Sequence, residues 1–401
     1  MTETNSSRRA TRQGDDAESR VEHHGAVWRI RSLHLARQIL AARDATTQAG
    51  FTAEAIPKGY LRHHPILISD GPLHDDQRRK VGRFFAPRVV AERYGDDMCR
   101  TAARLLDDAA RRGCCRLDQI ALEYTVEITR RAIGLEHSSV AGMSRRLEAF
   151  FRQPPFDITA PKLGRSKRQW ALAAWNGLLP VLRFWFADVR PAIQALRKSP
   201  RQNVISHLIA EGYSNTDILV ECVTYGTAGM VTTREFLTMA CWHLLDDDPL
   251  RNRYLLAERE ERHAILEEII RLEPVVGHLY RRVRSELTIC EDDHEWMLRP
   301  GDLVDVCVRP ANADKADVGE NPLLICPGRD MRHGVDPAGL SFSHGPHKCP
   351  GHALAIAEAD AFLTDLLRRR PTLVTAPRLD WDDLVTGYTL RGMILGMSSQ
   401  T

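Results

Sequence analysis

Residues 342 to 362, FSHGPHKCPGHALAIAEADAF, set one cysteine among three histidines at the head of an apolar-periodic run. Pro350 follows Cys349 directly, and a proline at the first helical position marks a helix start, because its missing N–H would have had no intrahelical partner. Cys349 then lies at the N-terminal mouth of that helix, where free N–H groups and the positive dipole end favour thiolate over thiol. Gly345 and Gly351 leave room for a flat body to approach. A thiolate on a tight loop beneath an open plane is what a haem iron takes as axial ligand, since thiolate donation favours O–O cleavage. Two other readings stand beside it. His344, His347, Cys349 and His352 have zinc-ligand chemistry, although structural zinc sites usually draw paired ligands from separate segments. An inert buried cysteine is the other, yet F-x-x-G-x-x-x-C-x-G arises by composition on the order of once in a thousand such chains.

Three further groups have chemical potential. YGTAGMVTTREF lies inside a helical segment, 216–246, that opens on the cap SNTD. Gly226, Ala228 and Gly229 weaken that helix, by up to ~1 kcal/mol per glycine, so they indicate close approach, either to a large ligand or to a crossing helix. Glu268 and Arg271 stand i,i+3, a pairing that also occurs on many solvated helices. His74 and Arg78, at i,i+4, share one helical face.

The elements that must position these residues are mainly helical. Apolar periodicity predicts helices over 85–112, 116–134, 166–196, 200–211, 216–246 and 248–273. AVWRIRSLHLARQILA predicts a strand followed by a helix; DLVDVCVRPANAD and LVTGYTLRGMILGM predict further strands. The fold class is mainly α with minor β. Residues 1–24 are polar and aperiodic, which predicts a disordered tail, and 25–401 reads as one domain. The chain has 401 residues, 43% of them hydrophobic and 27% charged, enough to bury a large core. It has no apolar run of the ~20 residues a membrane span needs and no signal-peptide core near its start, so the expected location is cytoplasmic. Nine cysteines without paired spacing argue against a disulfide framework. A net charge of +2 gives no reason to expect nucleic acid or membrane as partner.

Taken in chain order, these motifs resemble the cytochromes P450, in particular the soluble bacterial kind. Phe342, Gly345, Cys349 and Gly351 match that family's haem-ligand signature, continued by Leu354, Ala355 and Glu358. Glu268 and Arg271 match its Glu-x-x-Arg pair, with Arg329 as the arginine that joins it. The resemblance implies the P450 fold and b-type haem held noncovalently, with Cys349 as iron ligand. His74, Arg78, Arg282 and His347 are the implied haem-carboxylate partners, with Arg281 and Arg284 as rivals to Arg282. Ala228 and Gly229 are implied to lie against the haem face, with Thr232 as the threonine near oxygen. Val231, Val275, Val276, Tyr388 and Thr389 are the implied pocket walls.

One departure stands out. The family usually carries an acid just before its threonine, and this chain has Val231. Activation of O₂ consumes protons, a carboxylate there helps to deliver them, and valine carries none. Water, substrate groups or Glu235 would have to serve instead. The implied activity is oxidation of a small organic molecule with O₂ and two electrons supplied by ferredoxin and ferredoxin reductase, in bacterial specialised metabolism ahead of xenobiotic oxidation. Val231 opens an alternative of peroxide-driven oxidation, nitration or oxidative coupling, and a non-enzymatic haem sensor is the alternative of another class. Arg78, Arg79, Lys80, Arg83, Arg88 and Lys348 predict a basic patch that would steer an acidic ferredoxin.

Overall fold

The computed structural model describes residues 6–50, 64–383 and 385–397. Helices make up most of it, and the main sheet has five strands, in the spatial order Val21–His24, Val27–Ile30, Leu303–Cys307, His278–Val283, Thr46–Ala49. Val27–Ile30 runs parallel to Leu303–Cys307 and the other neighbours are antiparallel. The sheet is held from one side by the helix Leu33–Ala41, whose Leu33, Leu35 and Ile39 join Ile30, Val304 and Val306 in one apolar cluster. Ser32 starts that helix by accepting the Leu35 N–H.

A two-residue period fixes which strand side chains face inward. Leu279 and Val283 pack into the cluster of the sheet's helix-covered face, so Arg281 between them points the same way; Tyr280 packs against a separate cluster on the other face.

The larger core lies among the helices Gly95–Arg112, Leu117–Ile133, Arg259–Leu272 and His352–Arg368 and a central rod. That rod runs as Asn215–Gly226, a π turn Thr227–Val231, and Thr232–Asp246. Its start is the expected one: Ser214 caps it and Asp217 closes the capping box. The segment 248–273, expected as one helix, divides into Asp248–Leu256 and Arg259–Leu272. The run 166–196 is Lys167–Phe184 and Arg190–Lys198 joined by the π turn Trp185–Val189.

The N-terminal segment departs from the expected tail. The Ser7 N–H donates to Leu323 O, and the Arg8 guanidinium donates to Leu272 O at 3.0 Å and Arg309 O at 2.9 Å. The Arg9 and Ala10 N–H groups donate to the Glu273 carboxylate, Asp15 pairs with Arg309 at 2.8 Å, and Ala10 is fully buried. Its order comes from partners some 260 residues away, such as the fully buried carboxylate of Glu273, and local periodicity carries no trace of them.

Candidate active site

The Cys349 loop is held by backbone. Ser343 and Gly345 have φ of 62° and 67°, and a Cβ on Gly345 would lie 2.6 Å from Leu40 O, so only glycine fits there. The Cys349 N–H donates to Phe342 O at 2.7 Å. The helix after it begins at His352, two residues later than Pro350 suggests, with Pro350 and Gly351 forming a turn. That offset turns the Gly351 and His352 N–H groups onto the sulfur. Burial pushes the thiol upward, and these N–H groups, Arg78 and Lys348 oppose it.

The nearby histidines diverge. His352 stacks on Phe342 with ring centroids 3.9 Å apart and lies 3.4 Å from Glu267, while His347 stacks on His74 at 4.1 Å and bonds Asp70 at 3.1 Å. Among the described residues the only group of three His, Cys, Asp or Glu side chains within reach of one metal ion is His278, Asp305 and Cys307, on the sheet. The zinc arrangement around Cys349 is therefore not assembled.

Beside the sulfur lies a cluster of nitrogen bases and cations. His74 is 2% exposed, and burial, with His347 and Arg78, pushes it down to about 4, leaving a neutral ring at pH 7. Arg78 has no hydrogen bond or ion pair among the described residues. Arg281, not Arg282, completes the group. Arg281 is 3% exposed, bonds Gln48 and shares the pocket of Asp70, His74 and His347, whereas Arg282 turns outward to Gly301 O at 3.2 Å. Strand alternation is the reason, and motif spacing alone does not resolve it. Burial pushes Arg281 down to about 10, with Asp70 opposing. A guanidinium without a counter-charge, beside a second one facing a single carboxylate, is a donor set that suits the carboxylates of an iron porphyrin, and Cys349 suits its metal.

Arg271 is fully buried and grips Glu268 through two bonds of 2.6 and 2.8 Å, with its remaining donors on Asn312 O and Pro322 O. Arg329 joins Glu268 at 3.2 Å and spends its other donors on loop carbonyls, including Glu320 O and Leu324 O. The unusual spacing before Phe342 is thus absorbed within a loop held by a guanidinium.

On the central rod, Ala228 is exposed and Thr232 partly so, one above the other; Val231 is 7% exposed. The Thr232 hydroxyl donates to Ala228 O. Gly229 does not serve the face expected of it. A Cβ there would lie in ordinary contact with Thr129 at 3.4 Å, on the side of a neighbouring helix, whereas one on Gly226 would meet Leu147 at 2.9 Å, so Gly226 is the glycine that permits a close crossing. Glu235 is committed to Arg234, Arg391 and the Leu390 N–H, and is no free acid. Of the expected pocket walls, Val275 and Tyr388 are sealed in the core, where the Tyr388 hydroxyl donates to Glu273 O at 3.2 Å; Val276 and Thr389 remain partly exposed. Tyr388 is a packing residue because its strand turns it opposite to Thr389.

Motif reading missed Glu221. Its carboxylate accepts Ile66 N–H at 3.1 Å and Gln77 Nε2 at 3.2 Å, and burial pushes it up to about 8. A lone acid in the apolar run ILVECV, residues 218–223, was the signal. Glu358 is also buried, and burial raises it well above the carboxylate range.

The expected basic patch is largely neutralised. Arg79 and Lys80 pair with Asp76, Lys80 also with Glu211, Arg88 with Glu92 and Lys348 with Asp336.

Comparison with known proteins bears on the family and the fold. Residues 262–371 match the family described as Cytochrome P450. Cytochrome P450 130 of Mycobacterium tuberculosis is 26% identical over 374 residues, covering 85% of this chain and 82% of its own. The biotin biosynthesis cytochrome P450 of Bacillus subtilis is 28% identical over 322 residues, covering 78% of this chain and 75% of its own. Among solved structures, a mutant of P450 EryK in complex with erythromycin B superposes with a TM-score of 0.76 at 20% identity, over 96% of this chain and 94% of that one.

Proposed function

Since the chain belongs to the cytochrome P450 family, we propose that it inserts one oxygen atom of O₂ into a small organic substrate, with ferredoxin and ferredoxin reductase as electron source. The balance is substrate, O₂, two electrons and two protons, giving hydroxylated product and water. The observation that carries this reading is Cys349, directed by the Gly351 and His352 N–H groups, beside the cluster of His74, Arg78, Arg281 and His347. Cys349 would hold the iron, and the cluster would hold the carboxylates, of haem b. When bound, the haem supplies O₂ activation and electron transfer.

The chain's own residues do the rest. Ala228 keeps the rod's face low, and Thr232, its proton engaged by Ala228 O, keeps lone pairs free to accept a hydrogen bond from water or substrate. Glu235 is locked and position 231 is apolar, so protons reach Thr232 through water or the substrate. A specialised-metabolite substrate is the reading that the likenesses to EryK in complex with erythromycin B and to monooxygenases involved in microbial secondary metabolism support. Turnover with a ferredoxin pair under ¹⁸O₂ tests the proposal: product gains one labelled oxygen. Haem without turnover would favour a sensor, and turnover only with peroxide would favour the atypical chemistry that Val231 raises.

Two predictions arise from these residues. Arg281→Ala should weaken haem retention about 10–100-fold, the worth of a charge-assisted bond, and Arg282→Ala should leave it near wild type. Haem transfer to apomyoglobin measures both; the reverse ranking would restore Arg282 to the site. Thr232→Ala should divert most electron input to hydrogen peroxide if water is the proton route, and should preserve product per electron if the substrate delivers protons. Val231→Asp separates these further, because burying a carboxylate costs substrate affinity where an apolar wall is needed. We expect weaker substrate binding in that variant; better coupling at unchanged affinity would contradict the apolar-wall role.

A further inference from the structure

The helix Lys167–Phe184 and the π turn after it bury one face through Ala173, Pro180, Phe184 and Val189. The opposite face is apolar as well. Leu172, Trp175, Leu178, Leu182 and Phe186 are 50, 64, 59, 43 and 60% exposed, five of the eight large apolar side chains exposed among the described residues. A helix apolar on both faces calls for a second apolar surrounding. Spacings of three and four line these residues along one ridge, roughly 16 Å from Trp175 to Phe186.

Charge narrows the occupant. From Arg165 to Arg201 the chain holds eight cationic residues and a single carboxylate, Asp188, in a molecule of net charge only +2. Asp188 is fully buried and taken by Arg146 at 2.6 Å. Lys167, Arg168 and Arg183 are exposed and make no ion pair or hydrogen bond among the described residues; Arg190 lies over the Phe186 ring at 5.9 Å. A second copy would bring Arg168 against Arg168 in parallel, or against Arg183 and Arg190 in antiparallel, so like charges oppose self-pairing. A protein partner would have to match this ridge in shape as well as in the sign of its charge. Aromatic and leucine anchors beside cations of one sign match an anionic lipid surface, where recognition depends on sign alone.

We propose that the ridge Leu172–Phe186 is a peripheral attachment site for an anionic bilayer, with Trp175 and Phe186 at headgroup level and Arg168, Arg183 and Arg190 on lipid phosphates. No helix among the described residues is long and apolar enough to cross a membrane, so the attachment lies in the interface and weakens with salt. Co-sedimentation of the holoprotein with phosphatidylcholine vesicles, with and without ~30 mol% phosphatidylglycerol, tests it. Binding should be about tenfold stronger or more on the anionic vesicles and should fall as salt is raised. Arg168→Glu with Arg183→Glu should abolish the preference, and Leu178→Ser with Leu182→Ser should abolish binding. Unchanged visible spectra and melting temperatures would show that both variants are folded. Equal binding to the two vesicle types, or none to either, overturns the proposal. A dimer in sedimentation velocity that the serine variant disperses, without vesicle binding, assigns the ridge to a second copy instead; saturable capture of an acidic helical protein without vesicle binding assigns it to a protein.

Discussion

Replacing Cys349 by histidine should abolish the strongly red-shifted Soret band of the reduced, CO-bound protein and drop turnover to background. The loop leaves the new side chain no freedom to adapt: Gly345 is pressed against Leu40 O, and the Cys349 N–H is fixed to Phe342 O. Imidazole is longer than a thiol and, as a neutral donor, gives the metal less electron density than thiolate. The N–H groups of Gly351 and His352, which favour the anionic form of the sulfur against its burial, would face a ring nitrogen that has no use for them. Difference spectroscopy of the reduced protein with CO measures the effect. A retained red-shifted band in Cys349→His would move the metal ligand elsewhere in the chain, and purified protein carrying zinc without haem would remove the whole reading.

Arg271→Ala should destabilise the fold by about 3–5 kcal/mol, because it takes two hydrogen bonds from the buried Glu268 carboxylate and leaves it only Arg329 and the Cys326 N–H. That is a large part of the ~5–15 kcal/mol by which a domain is usually stable, so soluble yield should collapse. Arg271 is fully buried and gives four hydrogen bonds, two to Glu268 and two to carbonyls of Asn312 and Pro322. Lysine cannot reproduce that planar fork, so Arg271→Lys should recover little. The double variant with Glu268→Ala should cost less than the sum of the single ones, since removing both partners leaves no unmatched charge between them and takes the carboxylate only from Arg329 and the Cys326 N–H. Urea melts of the single and double variants measure this; strict additivity would mean that the two side chains act independently.

The Cys349 loop, the Glu268–Arg271 pair and the long central rod were legible because each is local. A turn, an i,i+3 pair and a capped apolar period all fit inside a short window of sequence. What was not legible depends on contacts across the fold. Arg281 and Arg282 are adjacent, and only pairing with the strand Leu303–Cys307 decides which points inward. Gly226 and Gly229 look alike in sequence, whether they face a ligand or, as here, the neighbouring helices of Leu147 and Thr129. Tyr388 and Thr389 exchange faces with a one-residue change of register. The basic run after His74 read as a free patch although Asp76 and Glu92 stand within reach of Arg79, Lys80 and Arg88; only Glu211, for Lys80, and Asp336, for Lys348, come from further away in sequence.

The N-terminal segment also bears on how the molecule is made. Arg8 and Ala10 leave the ribosome more than 260 residues ahead of Leu272 and Glu273, which hold them. At about 5–20 residues per second, translation takes roughly 13–50 s to supply those partners. For most of that interval the segment lacks its partners, since even Trp242 and Asp246, which meet Arg9, follow more than 230 residues after it. Its docking must therefore be a late event, and until it occurs the carboxylate of Glu273 lacks two of its N–H donors. A nascent chain should thus remain protease-sensitive near Arg8 and Arg9 until most of the protein has been synthesised.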